Sequence, residues 1–123
     1  MFDTYVAASG SVWARQLSNI DLKPVAGLRG RWARYVTPST DNSGMVFGMG
    51  QLDPGEVAGP HAHPEPEIFL VLEGYGEARW DQGGEEHVAE LRPGVAFYKI
   101  GGIPHRMENL GSGPLTGVFF KVS

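Results

Sequence analysis

The sequence predicts an all-β fold, a jelly-roll barrel of eight or more short strands, and three observations predict it. Short apolar runs are bounded by Gly, Pro, Asn and Asp, the punctuation of strands and tight turns. Glycine is the commonest residue, at 18, and with 9 prolines it is spread along the chain and not gathered into a disordered tract. No helical periodicity is sustained over ten residues. A chain of 123 residues, 41% hydrophobic, supplies one core and therefore one domain.

In chain order, residues 1–30 read as an N-terminal arm and residues 31–123 as the barrel. Phe2, Tyr5, Val6 and Trp13 are apolar without a clean period, so the arm is expected to pack on the partner in a homodimer. Residues 12–17 could make one turn of helix, and residues 20–25 an edge strand, where Pro24 is tolerated. Residues 31–36 read as a strand, ended by the turn material of residues 38–44. Residues 45–52 alternate Met45, Phe47, Met49 and Gln51 with Val46, Gly48, Gly50 and Leu52, and one of these faces lines the barrel. Gly48 and Gly50 lack the third glycine and the following helix of a nucleotide-binding loop. After the turn at Asp53, Pro54 and Gly55 comes the His-rich stretch considered below.

Residues 68–72 are apolar throughout, which predicts a strand buried on both faces. Phe69 and Val71 share parity with Glu67 and should wall a cavity; Ile68, Leu70 and Leu72 should pack outward. Residues 75–80, the turn at 81–84 and residues 85–91 make a hairpin. Glu85, Glu86 and His87 flank its Gly-Gly turn as a solvated edge, which leaves His87 outside any site. Arg92, Pro93 and Gly94 turn the chain into residues 95–100, and the corner at 101–104 feeds the strand carrying His105. Residues 115–122 close the fold after the turn at 111–114. Alternation there leaves open whether Phe119 and Lys121 or Val118 and Phe120 face inward.

Charge and composition narrow the functional classes. A formal net charge of -4 argues against a nucleic-acid surface. No run approaches the roughly 18 apolar residues of a membrane span, and the N-terminus has no basic start followed by an apolar run. The expectation is a soluble, cytoplasmic protein whose partner is a small molecule. With no cysteine, any metal must be held by nitrogen and oxygen.

The stretch GEVAGPHAHPEPEIFLVLEG, residues 55–74, meets that requirement. His61 and His63 are two apart and Glu67 keeps their parity, so on an extended chain all three leave one face. Two imidazoles and a carboxylate converging on one point form a facial set that holds a divalent first-row metal and leaves positions open. By chance the spacing G-x5-H-x-H-x3-E-x6-G should occur roughly once in several thousand such sequences, too rarely for an ordinary surface loop.

A second block, PGVAFYKIGGIPHRMEN, places Gly94, Gly102, His105 and Asn109 at partner spacing. Together the two blocks resemble the paired motifs of the cupin superfamily, the second being G-x5-P-x-G-x2-H-x3-N. The first match is complete; the second departs at Ile100, where the family has proline. The resemblance covers residues 55–109 and implies a double-stranded β-helix (jelly-roll) fold. It implies also that His61, His63, Glu67 and His105 bind one metal, with Asn109 structural. His63 and His105 lie 42 residues apart, so only a folded barrel unites them. Such a donor set suits Fe, Mn, Ni, Co or Zn without choosing among them.

The family that the motifs resemble includes dioxygenases, isomerases, lyases and non-catalytic binders, so the resemblance does not fix a reaction. The leading expectation is a metalloenzyme acting on a small oxygenated molecule, such as an enol, diol, hydroxy acid or sugar derivative. Glu67 would serve as ligand and proton acceptor, and Gln51, Phe69, Val71 and Tyr98 would line the substrate pocket. Lys99 is expected at the surface. The alternative is a metal-dependent small-molecule or sugar-binding protein without turnover. A sensor domain of a transcription regulator is disfavoured, for want of a helix-turn-helix segment or a basic patch. Family lyases that cleave sulfonium substrates would carry a tyrosine two residues past the motif glutamate, where this chain has Phe69.

Overall fold

A computed structural model describes residues 13–41 and 44–122. Phe2, Tyr5 and Val6 of the expected arm lie outside the described residues. Among the described residues ten strands pair antiparallel, in two sheets. The six-stranded sheet has the order β1 (Lys23–Pro24), β2 (Arg31–Val36), β3 (Met45–Leu52), β10 (Leu115–Val122), β5 (Glu67–Glu73) and β8 (Ala96–Lys99). The four-stranded sheet has the order β4 (Val57–His61), β9 (His105–Asn109), β6 (Gly76–Gln82) and β7 (Glu85–Leu91). This is the double-stranded β-helix expected from the motifs.

The inner faces meet in one core. Val46, Leu52, Phe69, Val71, Phe97, Leu115 and Phe119 come from the larger sheet, and Ala58, Ala78, Leu91 and Met107 from the smaller. Alternation along each strand fills this core, because successive side chains leave opposite faces. Along β10 it resolves the choice left open by the sequence: Phe119 is inward and 5% exposed, Phe120 outward and 41% exposed. The glycines of β3 make room for aromatic rings. A side chain at Gly50 would strike the Trp32 ring, and one at Gly48 the ring of Phe119.

Three expectations are corrected. The strand β5 is buried on one face only: Phe69 and Val71 are inside, whereas Ile68, Leu70 and Leu72 are exposed. Their unbroken apolar run does not distinguish a two-sided burial from an outer sheet face that no described residue covers. Residues 20–25 are not a strand of that length. Ser18 accepts from the Ile20 N–H at 3.2 Å while the Asp21 carboxylate accepts from the Ser18 N–H at 3.3 Å, a capping box that starts a 3₁₀ turn, Asn19–Asp21. Only Lys23–Pro24 then pairs with β2, at the sheet edge where a proline costs no ladder bond. Residues 13–17 carry no regular structure, so the helical turn expected there is absent over the described part. Arg15 in this segment and Asp21 in the turn after it are tied to β2 by Tyr35, which donates to Asp21 at 2.8 Å and has the Arg15 guanidinium 4.9 Å from its ring centroid. The turn material after β2 begins with a single helical turn, Pro38–Asp41, with proline at the first helical position where its missing N–H is not needed.

Asn109 locks the barrel end. Its amide donates to the Leu52 and Gly113 carbonyls, each at 2.9 Å, and its Oδ1 accepts from the Gly111 N–H at 2.8 Å. Buried to 1% exposure, it joins β9, β3 and the turn before β10, a structural role that leaves no polar atom unpaired.

Candidate metal centre

Strand pairing assembles the centre. His61, the last residue of β4, lies directly opposite His105, the first residue of β9, and partners in an antiparallel pair share a face. Gly59 makes the pairing possible: its φ is +97°, and a Cβ there would lie 2.6 Å from the His105 carbonyl oxygen. His63 follows on the loop to β5. The ring centroids of His61 and His105 are 4.6 Å apart, and those of His63 and His105 5.2 Å. One ligand nitrogen from each of the three lies within 4.8 Å of the others.

Hydrogen bonds fix how the rings are presented. A carbonyl oxygen only accepts, so His105 Nδ1, 3.0 Å from the Ile103 oxygen, carries the proton and Nε2 carries the lone pair. That Nε2 is buried with no hydrogen-bond partner, a costly arrangement for a structural histidine and the expected one for a ligand. Burial, opposed in part by the Ile103 carbonyl, pushes the pKa of His105 down to about 4, so the ring is neutral near pH 7. His61 is also held below its ordinary value, first by loss of solvent around the ring and then by His63.

His63 gives the second sign of a cation site. Its Nδ1 donates to the Glu65 carbonyl at 2.9 Å, which leaves a lone pair on Nε2 of the neutral ring. Yet Nε2 is 3.1 Å from Glu67 Oε1, itself an acceptor. Two lone pairs face each other unless the ring is protonated or both atoms share a cation. Adjacent ligands on a metal with bonds of about 2.1 Å sit about 3 Å apart, a spacing that a shared cation allows as well as an imidazolium–carboxylate pair does. The donor set therefore fits a divalent metal.

The structure thus brings His61, His63 and His105 together and sets Glu67 beside them, outside the three-imidazole group. Glu67 begins β5 in the opposite sheet, where its cross-strand partners are Lys121 on β10 and Lys99 on β8. Lys99 Nζ donates to Glu67 Oε1 at 3.1 Å. Burial tends to raise the Glu67 pKa, but Lys99, His63 and Lys121 outweigh it and hold the carboxyl below its usual range. The surface position expected for Lys99 is wrong: it is 5% exposed. Its parity with Phe97 on β8 could have shown this.

None of the expected pocket residues lines the cavity beside the imidazoles, although Tyr98 lines a second cavity, of about 370 Å³, with Trp80 and Phe97. Gln51 faces away from the core and is buried in a polar row, bonded to Arg31 and donating to Thr116 Oγ1 at 2.9 Å. Phe69 and Val71 are core, and Tyr98 is outward and 59% exposed. Instead a cavity of about 550 Å³ opens beside His61, His63 and Glu67, walled by Leu28, Trp32, Arg34, Ala58, Phe119 and Lys121. Because Leu28 and Arg34 come from regions with no motif signal, only the folded sheet reveals them. His87 stacks on Trp80 with centroids 5.5 Å apart, away from the three imidazoles, as expected.

The loop carrying His63 leans on the corner before His105. Gly102 N–H donates to the His63 carbonyl at 2.8 Å, and a side chain at Gly101 would overlap the Pro64 backbone oxygen. Gly101→Ala is therefore expected to cost about 1–3 kcal/mol, as overpacking does, and to weaken metal binding by displacing His63. Gly102→Ala meets no atom within 4 Å and strains only its own φ of +82°, so it should cost about 1 kcal/mol and leave metal affinity near that of the parent. Equal metal affinity in the two variants, by competition with a chelator, would contradict this coupling.

A family model described as a cupin domain matches residues 48–120, more than half of the chain. Dimethylsulfoniopropionate lyase DddW of Ruegeria pomeroyi is 43% identical over 61 residues, which cover 50% of this chain and 38% of that protein. The chain thus spans well under half the length of this relative. A cupin 2 conserved barrel domain protein from Salinispora arenicola superposes with a TM-score of 0.71 at 22% identity, covering 92% of this chain and 90% of its own. A predicted oxalate decarboxylase from Thermotoga maritima gives a TM-score of 0.64 at 24% identity, covering 78% and 84%. At these identities the two structures are alike in fold.

Proposed function

The chain belongs to the cupin family, and on that premise we propose that it is a metalloenzyme whose His61, His63 and His105 hold one divalent first-row metal and act on a small oxygenated molecule. The observation that carries this reading is the buried, unpartnered Nε2 of His105 within 4.8 Å of the other two ligand nitrogens. A metal held there supplies a Lewis acid that polarises a substrate oxygen. The protein supplies the rest. Ile103 and Glu65 orient two rings through their carbonyls, and the cavity beside them has room for a small molecule.

Within the wider choice of dioxygenase, isomerase or lyase, the partial match to a lyase favours elimination. In such a step a base takes a proton from carbon, the C–H pair becomes a double bond, and the leaving group departs with its bonding pair. Phe69 has no hydroxyl to act as that base and is 3% exposed. Glu67 is then the candidate acceptor, kept ionised by Lys99, though the depressed pKa makes it a stronger ligand than base.

The test is turnover. Protein loaded separately with iron, manganese, nickel or zinc should release product from at least one member of a panel of hydroxy acids, diols, enols, sugar acids and sulfonium carboxylates. Binding of a panel member with oxygen uptake and product both at background for every metal would replace the enzyme by the alternative, a metal-dependent binding protein.

A further inference from the structure

The chain carries ten Lys and Arg residues, and six of them, Arg15, Arg31, Arg79, Arg92, Lys99 and Arg106, lie within 4.0 Å of a carboxylate. Among the described residues the other four have no such partner. Three of those four, Arg29, Arg34 and Lys121, line the cavity beside the imidazoles; only Lys23 does not. Scarcity of acids does not explain this, since Asp and Glu number 14. The unpaired positive charge of a chain with net charge -4 is thus gathered around one opening.

Register explains how the three converge. Arg34 on β2 is opposite Gly48 on β3, which is opposite Phe119 on β10, so Arg34 shares the inner face with Phe119. Gly48 puts no side chain between them. Lys121 follows two residues after Phe119 on that face, opposite Glu67. Arg29 enters from the loop before β2, held by its own carbonyl, which accepts from the Trp32 indole N–H at 2.7 Å. The cavity's one carboxylate, Glu67, is already bonded to Lys99. The excess of positive charge is left for something that enters, while Trp32 and Phe119 offer it apolar walls.

We propose that the cavity selects a small organic carboxylate, its charged end anchored by Arg34 and Lys121 with Arg29 at the rim, and its other end directed at the three imidazoles. This rests on the metalloenzyme reading and specifies its substrate class. Guanidinium and carboxylate form paired hydrogen bonds between opposite charges, whereas an amide of the same shape offers one acceptor oxygen and no charge. A neutral diol or sugar would leave all three cations without a partner.

The experiment uses the full, metal-loaded chain and succinate as probe, with succinamide as its uncharged match, titrated by calorimetry. Succinate should bind at least tenfold more tightly than succinamide and weaken as salt is raised. Arg34→Gln with Lys121→Met should lose at least tenfold in succinate affinity and little for succinamide, with metal content and melting temperature unchanged, because Arg34 is exposed and Lys121 half-buried. Should that pair melt early, Arg29→Gln alone is expected to show the same selective weakening, and Arg34→Lys with Lys121→Arg to retain binding. Equal affinity for the two probes, or a succinate affinity unmoved by removing the charges, would overturn the proposal. Since none of these variants touches an imidazole, loss of succinate with metal retained separates it from the metal reading, which His61→Ala with His63→Ala tests.

Discussion

His61→Ala combined with His63→Ala is expected to strip the protein of metal. Elemental analysis of the parent should give close to one equivalent of a divalent first-row metal, and the double variant should retain almost none. The argument is geometric. Of three ligand nitrogens within 4.8 Å of one another, the substitution removes two, leaving His105 with Glu67 on the far side of the gap. Changing a partner behind a ligand already costs about 10–100-fold in affinity, and losing two ligands outright should exceed that. The fold should survive, because His61 is exposed and His63 sits in a loop, neither of them in the apolar core. His87→Ala is the control, since His87 stacks on Trp80 on the edge strand β7, with Trp80 between it and His105, and is not one of the three clustered imidazoles; its metal content should equal the parent's. Equal metal in the double variant and the parent would remove the centre from these residues.

The strands were legible in the sequence wherever alternation and turn residues agreed. The closing strand, residues 115–122, and the strand at residues 45–52 coincide with β10 and β3 because each is bounded by Gly and Pro or Asp. The two histidines two apart were legible because alternation sends both from one face, and the resemblance of the second block to the cupin motif implied His105. What failed was the inward or outward sense of a strand's alternation and the order of neighbouring strands. A lysine at residue 99 reads as surface by composition; its parity with Phe97 buries it, and cross-strand Glu67 makes the burial tolerable. Gln51 has the polarity of a pocket residue but the parity of the outer face, opposite that of Leu52 and Val46. The wall of the cavity depends on which strand lies beside which, and so Arg34 and Lys121 emerge only from the order β2, β3, β10.

The burial of Lys99 leads to the second large effect: Glu67→Ala should destabilise the metal-free protein by about 3–5 kcal/mol, the range for breaking a buried ion pair from one side. Glu67 is the carboxylate bonded to Lys99, at 3.1 Å. Without it the ammonium is left against aromatic rings, 4.9 Å from the Phe97 centroid and 6.0 Å from that of Phe69, contacts that return only about 0.5–2 kcal/mol. Burial already lowers the Lys99 pKa, with Glu67 opposing, so removing Glu67 lowers it further. A lysine whose folded pKa is depressed binds fewer protons folded than unfolded, and stability then rises with pH between the folded value and the ordinary one. The loss in Glu67→Ala should accordingly be largest between the depressed folded pKa of Glu67, below which the parent loses the pair too, and that of Lys99, and shrink as pH rises through the latter. Adding Lys99→Met, which keeps the length of the side chain and discards its charge, should recover most of the lost stability, because the penalty comes from the orphaned cation and not from the missing pair. Urea unfolding of the four proteins in the cycle measures the coupling directly. A loss under about 1 kcal/mol for Glu67→Ala would mean that the Lys99 tail finds water once released, and that its burial depends on Glu67 rather than on the barrel.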